Sequence, residues 1–233
     1  MPLWVSLKAS LLATAIVAVV GVSLAYVLAK GRFPGRGAIE AVASLPLGLP
    51  PTVVGYYLLT QLGGPGPVRD TSVHIFGHPL TFTFAGVVVA QSVEAFPYCL
   101  RSARAAIESV DARLEEAARG IGLPEWRVAL QCTLPAARRG VAAGLVMAFG
   151  RALGDFGATI AISGLRPVTT TLPIAVYNAV FDGSAAQARN LALVETAAAV
   201  ALLVVAGRLA RPSSTATRRS GSWIGWGARS APG

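Results

Sequence analysis

The feature that most constrains the fold of this chain is residues 9–29, a run of 21 residues without a charged side chain. A helix of about 20 apolar residues is long enough to cross the ~30 Å hydrocarbon core of a bilayer. A cleaved signal peptide has an apolar region of only about 7–15 residues. This run is longer and is followed by Lys30, Arg32 and Arg36, so we predict an uncleaved membrane-spanning helix.

The composition extends this conclusion to the whole chain. Only 13% of the 233 residues are charged and 54% are hydrophobic, whereas soluble domains carry about 25% charged residues. An ordinary soluble domain is therefore excluded. We predict an all-α integral membrane protein with five transmembrane helices within residues 1–211 and a disordered tail at residues 212–233. The five predicted spans are residues 9–29, 41–60, 80–100, 140–165 and 190–207.

The distribution of basic residues predicts the orientation. Of the 20 Lys and Arg residues, 15 follow the first span, lie in the polar segment 101–139, or lie beyond the fifth span. Cytoplasmic loops carry the excess of basic residues, so the N-terminus is expected outside and the C-terminus in the cytoplasm. This distribution also indicates that the net charge of +9 reflects the orientation in the membrane and not nucleic-acid binding. A sixth span at residues 167–181 would place the arginines of the tail outside, so we interpret that segment as external or re-entrant.

The second span contains three prolines, Pro46, Pro50 and Pro51. Proline removes backbone hydrogen bonds and is tolerated in a membrane helix where protein or a watery cavity satisfies the freed groups. We therefore expect this helix to be kinked or partly unwound and to line the interior of a bundle. The Gly- and Pro-rich residues 63–79 that follow are predicted to form an external loop.

The polar segment has the pattern of two short helices. Asp111 is suited to cap a first helix, Gly122 to end it and Pro124 to begin a second. The first helix has an apolar stripe formed by Leu114, Ala117, Ala118 and Ile121. Such a stripe outside the membrane needs a covering partner. The alternative is an amphipathic loop that rests on the membrane or on its own bundle.

Charged residues inside the spans are the other candidates. Arg151 and Asp155 are four residues apart and can pair on one helical face. Ionisable groups at membrane depth face a bundle interior or a substrate path, so the pair either attracts an anion transiently or forms an internal salt bridge. Glu94 and Glu195 are expected to be paired or hydrogen-bonded inside the bundle, with proton relay as the alternative.

Several kinds of chemistry have no support in the sequence. His74 and His78 are too few for a metal site, and Cys99 and Cys132 have no ligand spacing. The sequence contains no GxxxxGK[ST] phosphate loop, no HExxH motif and no Ser/His/Asp constellation. We predict no catalytic residue, no metal and no cofactor bound by this chain.

The spacing of Glu116-Ala117-Ala118, three residues, Gly122, and a twelve-residue step to Leu134-Pro135 resembles the signature loop of the membrane subunits of bacterial ABC importers. Residues 45–59 and 150–159 narrow the resemblance to molybdate-type oxyanion permeases. The similarity extends from about residue 30 to about residue 208. It includes six further matching positions: Pro34, Pro46, Pro50, Pro51, Gly154 and Gly157.

The resemblance implies a type I permease-like bundle in the bacterial inner membrane. Two copies would form a path through the lipid, with an ATPase dimer that holds ATP and Mg²⁺ beneath and a substrate-binding protein outside. The implied coupling residues are Glu116, Ala117, Ala118, Gly122, Leu123, Pro124, Trp126 and Arg127; those of the pathway are Pro46, Pro50, Pro51, Arg151 and Asp155.

In the family, the loop docks into a cleft on the ATPase. Glu116 would then make polar contacts, Ala117 would allow close approach and Gly122 would set the bend. Two positions depart from the family pattern: Cys132 replaces an aliphatic residue, and Asp155 stands where the family often has glutamate. The implied cargo is molybdate, with tungstate or sulfate as alternatives. A proton-coupled carrier without an ATPase, or a scaffold without transport, would leave the signature loop or the proline-rich span unexplained.

Overall fold

The computed structural model describes residues 2–164 and 166–210, except the side chains of residues 206, 209 and 210. Within these residues the chain is all-helical, with no β-strand. The predicted tail, residues 212–233, lies outside them. In chain order the α-helices are α1 (Pro2–Lys30), α2 (Arg36–Gly48), α3 (Pro51–Gly63), α4 (Pro67–Phe76), α5 (Phe84–Glu108), α6 (Ala112–Gly120), α7 (Glu125–Val128), α8 (Leu134–Leu153), α9 (Gly157–Ser163), α10 (Leu172–Phe181) and α11 (Ala185–Ala210). A π-helical turn, Ala129–Thr133, joins α7 to α8.

Helices α1, α5 and α8 form the centre of the bundle. Their contact surfaces consist mostly of small side chains, which let helices approach closely where lipid gives no hydrophobic drive to association. At the crossing of α5 and α8, a Cβ on Gly144 would lie 2.7 Å from Ser102 Cβ. The main buried cluster contains Ala9, Ala13, Val17, Val87, Val88, Ala95, Cys99, Ala148 and Ala152.

The second predicted span is broken, as its prolines indicate. Helices α2 and α3 meet at an angle of 114°. Leu49 and Pro50 have extended backbones, with ψ of 144° and 137°, because each precedes a proline and a following proline disfavours the helical conformation. Pro51 then begins α3, at the position where its missing N–H costs nothing.

The fourth predicted span, residues 140–165, is also two helices, so the expectation of one continuous helix was wrong. Helix α8 begins earlier, at Leu134, and is bent by 52° from α9. The break has a local cause: the Asp155 carboxylate accepts a hydrogen bond from the backbone N–H of Thr159 at 3.1 Å. This hydrogen bond satisfies a donor of the first turn of α9, which would otherwise have no partner within the helix, and so favours a new helix start.

Other helix boundaries also differ from the predicted ones. Helix α5 begins at Phe84, after Thr83 Oγ1 accepts from the N–H of Gly86 at 3.1 Å, and continues to Glu108, into the predicted loop 101–139. The predicted external loop 63–79 contains a helix, α4, with Pro67 in its first turn and Gly77 (φ 75°) at its end. His74 lies on this helix and His78 follows it, both exposed.

Two apolar helices end the described chain. Helix α10 has ten residues and is therefore about 15 Å long, half the ~30 Å thickness of the hydrocarbon core. Its first residue, Leu172, donates its backbone N–H to Ser6 Oγ of α1 at 2.6 Å, so α10 lies beside the start of α1. Helix α11 is mostly exposed in the single chain, as expected for a helix that faces lipid.

Candidate functional site

The signature loop, residues 109–133 between α5 and α8, forms the two short helices that the sequence predicts. Asp111 caps α6 by accepting from the N–H of Arg113 at 2.9 Å. Gly122 follows α6 with φ 86°, a left-handed conformation that glycine adopts at no steric cost. The N–H of Leu123 reaches back to the carbonyl of Ala118 at 3.3 Å, and Pro124 precedes α7. The predicted cap, turn and helix start are confirmed.

The loop has one face against the bundle and one free face. The buried side chains are Glu115, Ala118, Val128 and Thr133. The predicted stripe was therefore wrong in one member, because Ala118 is only 6% exposed and packs inward. The remaining large apolar side chains, Leu114, Ile121, Trp126 and Leu130, are 47–79% exposed. Within the described chain nothing covers them.

Most of the predicted coupling residues belong to this free face. The two exceptions are Ala118, which is buried, and Leu123, which is half-buried. A Cβ on Gly122 would meet open space. The positive φ of this residue, and not a lack of room for a side chain, therefore favours glycine here. Their role in coupling remains a prediction. The exposed members are Glu116, Ala117, Gly122, Pro124, Trp126 and Arg127.

An ion pair links the two short helices. Arg119 Nε of α6 donates to Glu125 Oε1 of α7 at 2.7 Å. The hydrogen bond from Arg119 lowers the pKa of the Glu125 carboxyl. Both side chains are exposed, so this pair contributes little to stability.

The loop also contains a residue that sequence reasoning missed. Glu115 is 3% exposed, and its Oε1 lies 2.8 Å from Lys30 Nζ and accepts from Thr133 Oγ1 at 2.8 Å. Its position in the sequence was the available signal. Glu115 lies three residues before Ala118 and therefore on the same face of α6, opposite the exposed residues.

Arg151 and Asp155 lie at the break between α8 and α9 and form part of a larger network. Arg151 Nη1 is 3.4 Å from Asp155 Oδ1, and Arg151 Nη2 contacts Glu94 Oε2 of α5. The predicted pairing of Glu94 is thus confirmed. The two carboxylates are almost completely buried, at 2% and 0% exposure. One guanidinium therefore faces two carboxylates, which leaves it little positive charge to offer an anion.

The two helix breaks meet in space. A Cβ on Gly157, the first residue of α9, would lie 2.7 Å from Pro51 Cβ, at the start of α3. A Cβ on Gly55 would lie 2.9 Å from the Cα of Ala158. Glycine at both positions allows the backbones of α3 and α9 to approach closely, so Pro51 lies against Gly157, two residues after Asp155.

Two of the predicted pathway residues line apolar cavities. Pro46 lines an apolar cavity of about 250 Å³ between α1, α2 and α5, whereas Arg151 lines one of about 310 Å³ between α5, α8 and α11. Pro50 is exposed in the single chain. Glu195 has no hydrogen bond or ion pair within the described chain, so its predicted pairing is not seen.

The family model described as the binding-protein-dependent transport system inner membrane component matches residues 17–214. The molybdenum transport system permease protein ModB of Escherichia coli is 40% identical over 210 residues, 89% of this chain and 92% of that protein.

Two solved structures share the fold. The first, a bacterial alginate ABC transporter in complex with its alginate pentasaccharide-bound periplasmic protein, has a TM-score of 0.67 at 20% identity over 89% of this chain and 75% of that chain. The second, the inward-facing MetNI methionine ABC transporter, has a TM-score of 0.67 at 15% identity, over 89% and 92%. With the family model matching most of its length, the chain belongs to the family of inner membrane components of binding-protein-dependent transport systems.

Proposed function

We propose that the chain is the permease subunit of an ATP-driven importer of molybdate or a closely related oxyanion. The observation that supports this most is the 40% identity to a molybdenum permease across 89% of the chain. Tungstate and sulfate are the alternative cargoes, because they are tetrahedral oxyanions of the same charge.

The proposed ATPase partner follows from the free face of the signature loop. The sequence has no phosphate loop of its own, so ATP and Mg²⁺ would be held by that partner. Exposed aromatic and aliphatic side chains in a polar segment mark a protein interface, and Ile121 and Trp126 are 79% and 60% exposed. An ATPase subunit that covers these side chains would displace α6 and α7 when its dimer closes.

We further propose five membrane crossings, made by α1, α2 with α3, α5, α8 with α9, and α11. Helices α1 and α11 are each long and apolar enough to cross, and each bent pair can supply one more span. Helix α5 is less apolar because of Gln91 and Glu94, but both are buried within the bundle, so lipid does not meet them. Its 25 residues make it about 37 Å long.

This arrangement predicts a testable orientation. The Lys30–Glu115 contact supports placing the end of α1 and the signature loop on one side of the membrane. With that side cytoplasmic, a reporter fused at Gly233 is expected to report cytoplasm and one inserted at Gly66 to report the outside. An external signal at Gly233 would contradict the odd number of crossings.

The path for the anion is proposed to follow the crossing of the two helix breaks. In the single chain α2 has no buried residue, and Tyr56 and Tyr57 of α3 are 61% and 55% exposed. A second copy of the chain would face this surface, so that Pro50, Pro51 and the start of α3 line the space between the copies. A helix start is electrostatically suited to a passing anion. Arg151 and Asp155 would hold the crossing in shape.

The proposal is tested by measuring ATP hydrolysis in proteoliposomes that contain this chain, its ATPase and its binding protein. Molybdate and tungstate are expected to stimulate hydrolysis, and sulfate is not. Stimulation by sulfate would change the cargo and keep the mechanism. Uptake that needs no ATPase would support a proton-coupled carrier instead, and no response to any oxyanion by an assembled complex would refute the proposed cargo.

A further inference from the structure

The signature loop is fastened to the first membrane helix through one buried carboxylate. Glu115 of α6 meets Lys30, the last residue of α1, and Thr133, the last residue of the π-helical turn. Arg119 Nη2 lies 3.8 Å from its other oxygen. The end of α1 and the end of the π-helical turn therefore both contact one side chain of α6.

The contact is buried, so it resists separation more than an exposed pair does. Glu115 is 3% exposed and Thr133 is fully buried. Moving α6 away from α1 would break an attraction between opposite charges that is stronger in this poorly hydrated site than it would be in water. Surface ion pairs contribute little by comparison.

The position of Glu115 allows this contact to connect a displacement of α6 to α1. On α6 it faces the bundle, whereas its neighbour Glu116 lies on the free face. A partner that displaces α6 through the free face therefore acts on α1 through the opposite face. Helix α1 packs along α5 and α8, and at its other end Ser6 holds the first residue of α10.

We infer that Glu115, held by Lys30 and Thr133, is a positioning residue that makes the signature loop and α1 move as one body during transport. The inference rests on the proposed function, because it assigns a role within ATP-driven uptake. The Glu115–Lys30 pair transmits the displacement of α6 to α1, and α1 transmits it to α10 at the other end of the bundle.

The chain supplies a matched control in a second ion pair near the same end of the bundle. Arg36 of α2 and Glu108 of α5 are 3.0 Å apart, but their side chains are 31% and 43% exposed. This pair also joins two helices, yet it is far more exposed than Glu115, and no hydrogen bond or ion pair of the described residues connects it to α6. Its loss should have no effect on coupling.

The test measures molybdate uptake and ATP hydrolysis together in proteoliposomes that contain the whole complex. Lys30→Met and Glu115→Gln are each expected to lower the uptake per ATP hydrolysed at least about fivefold, the lower end of coupling effects between sites. The ATPase subunit should stay bound. Lys30→Met leaves the buried Glu115 carboxylate without Lys30 and should lower the melting temperature, whereas Glu115→Gln removes the buried charge and should lower it less. Lys30→Arg should keep most of the ratio because it preserves the ion pair.

Two further results separate coupling from general damage. The double variant Lys30→Met/Glu115→Gln should be no worse than the poorer single variant, because both break the same contact. Arg36→Met should match the wild type. Wild-type ratios in Lys30→Met and Glu115→Gln would overturn the inference, as would a loss of coupling that occurs only together with dissociation of the ATPase, or only in Lys30→Met and not in Glu115→Gln. If the wild-type complex itself takes up no oxyanion, the proposed function fails instead.

Discussion

Replacing Arg151 with methionine is expected to lower the free energy of unfolding by about 3–5 kcal/mol, the usual cost of removing one partner from a buried ion pair. Arg151 contacts Glu94 Oε2 and lies 3.4 Å from Asp155 Oδ1. Both carboxylates are at most 2% exposed, so methionine would leave two buried acids without a cation. Denaturant unfolding of the purified chain in detergent measures the loss.

Two companion variants make this prediction specific. Arg139→Met removes an exposed arginine from the same helix and should change the free energy of unfolding little. Adding Glu94→Gln to Arg151→Met should recover part of the stability, because one unpaired carboxylate is then gone. If Arg151→Met unfolds like the wild type while uptake falls steeply, Arg151 acts on the anion and not as a salt bridge.

The pair Arg151–Asp155 illustrates how far the sequence could be interpreted. A separation of four residues on a predicted helix was enough to propose the pair, because the geometry of one helix is local. The third member, Glu94, lies on α5, and the sequence alone does not say which faces of two helices meet. For the same reason the Glu115–Lys30 contact was missed, although Lys30 was recognised at the end of a span.

Local backbone chemistry was the most predictable part of the molecule. Asp111, Gly122 and Pro124 each act within a few residues, and each forms the cap, turn or helix start that its side chain favours. The break at Asp155 escaped prediction, because residues 140–165 are mostly apolar and their hydropathy does not show that the Asp155 carboxylate binds the first turn of α9. Hydropathy reports the solvent around a segment and does not report whether its helix is continuous.

The largest effect on assembly is expected from Ile121→Glu on the free face of the signature loop. Ile121 is 79% exposed and, in the proposed complex, enters the cleft of the ATPase. Buried anchor residues at interfaces cost about 2 kcal/mol or more when lost, which corresponds to roughly 30-fold weaker binding. Titration of the purified ATPase subunit against the chain in detergent measures the change.

A control separates docking from insertion. Ile75→Glu is the control. It alters a comparably exposed isoleucine on α4, 64% exposed, on the proposed outer side, so ATPase binding should stay at the wild-type level.

Glu116→Lys is a second test of the docking surface. It reverses a charge on α6 and should also weaken binding, since Glu116 is assigned polar contacts with the ATPase. Undiminished binding by both Ile121→Glu and Glu116→Lys would move the ATPase interface to another surface, because no docked subunit could tolerate both changes within its cleft.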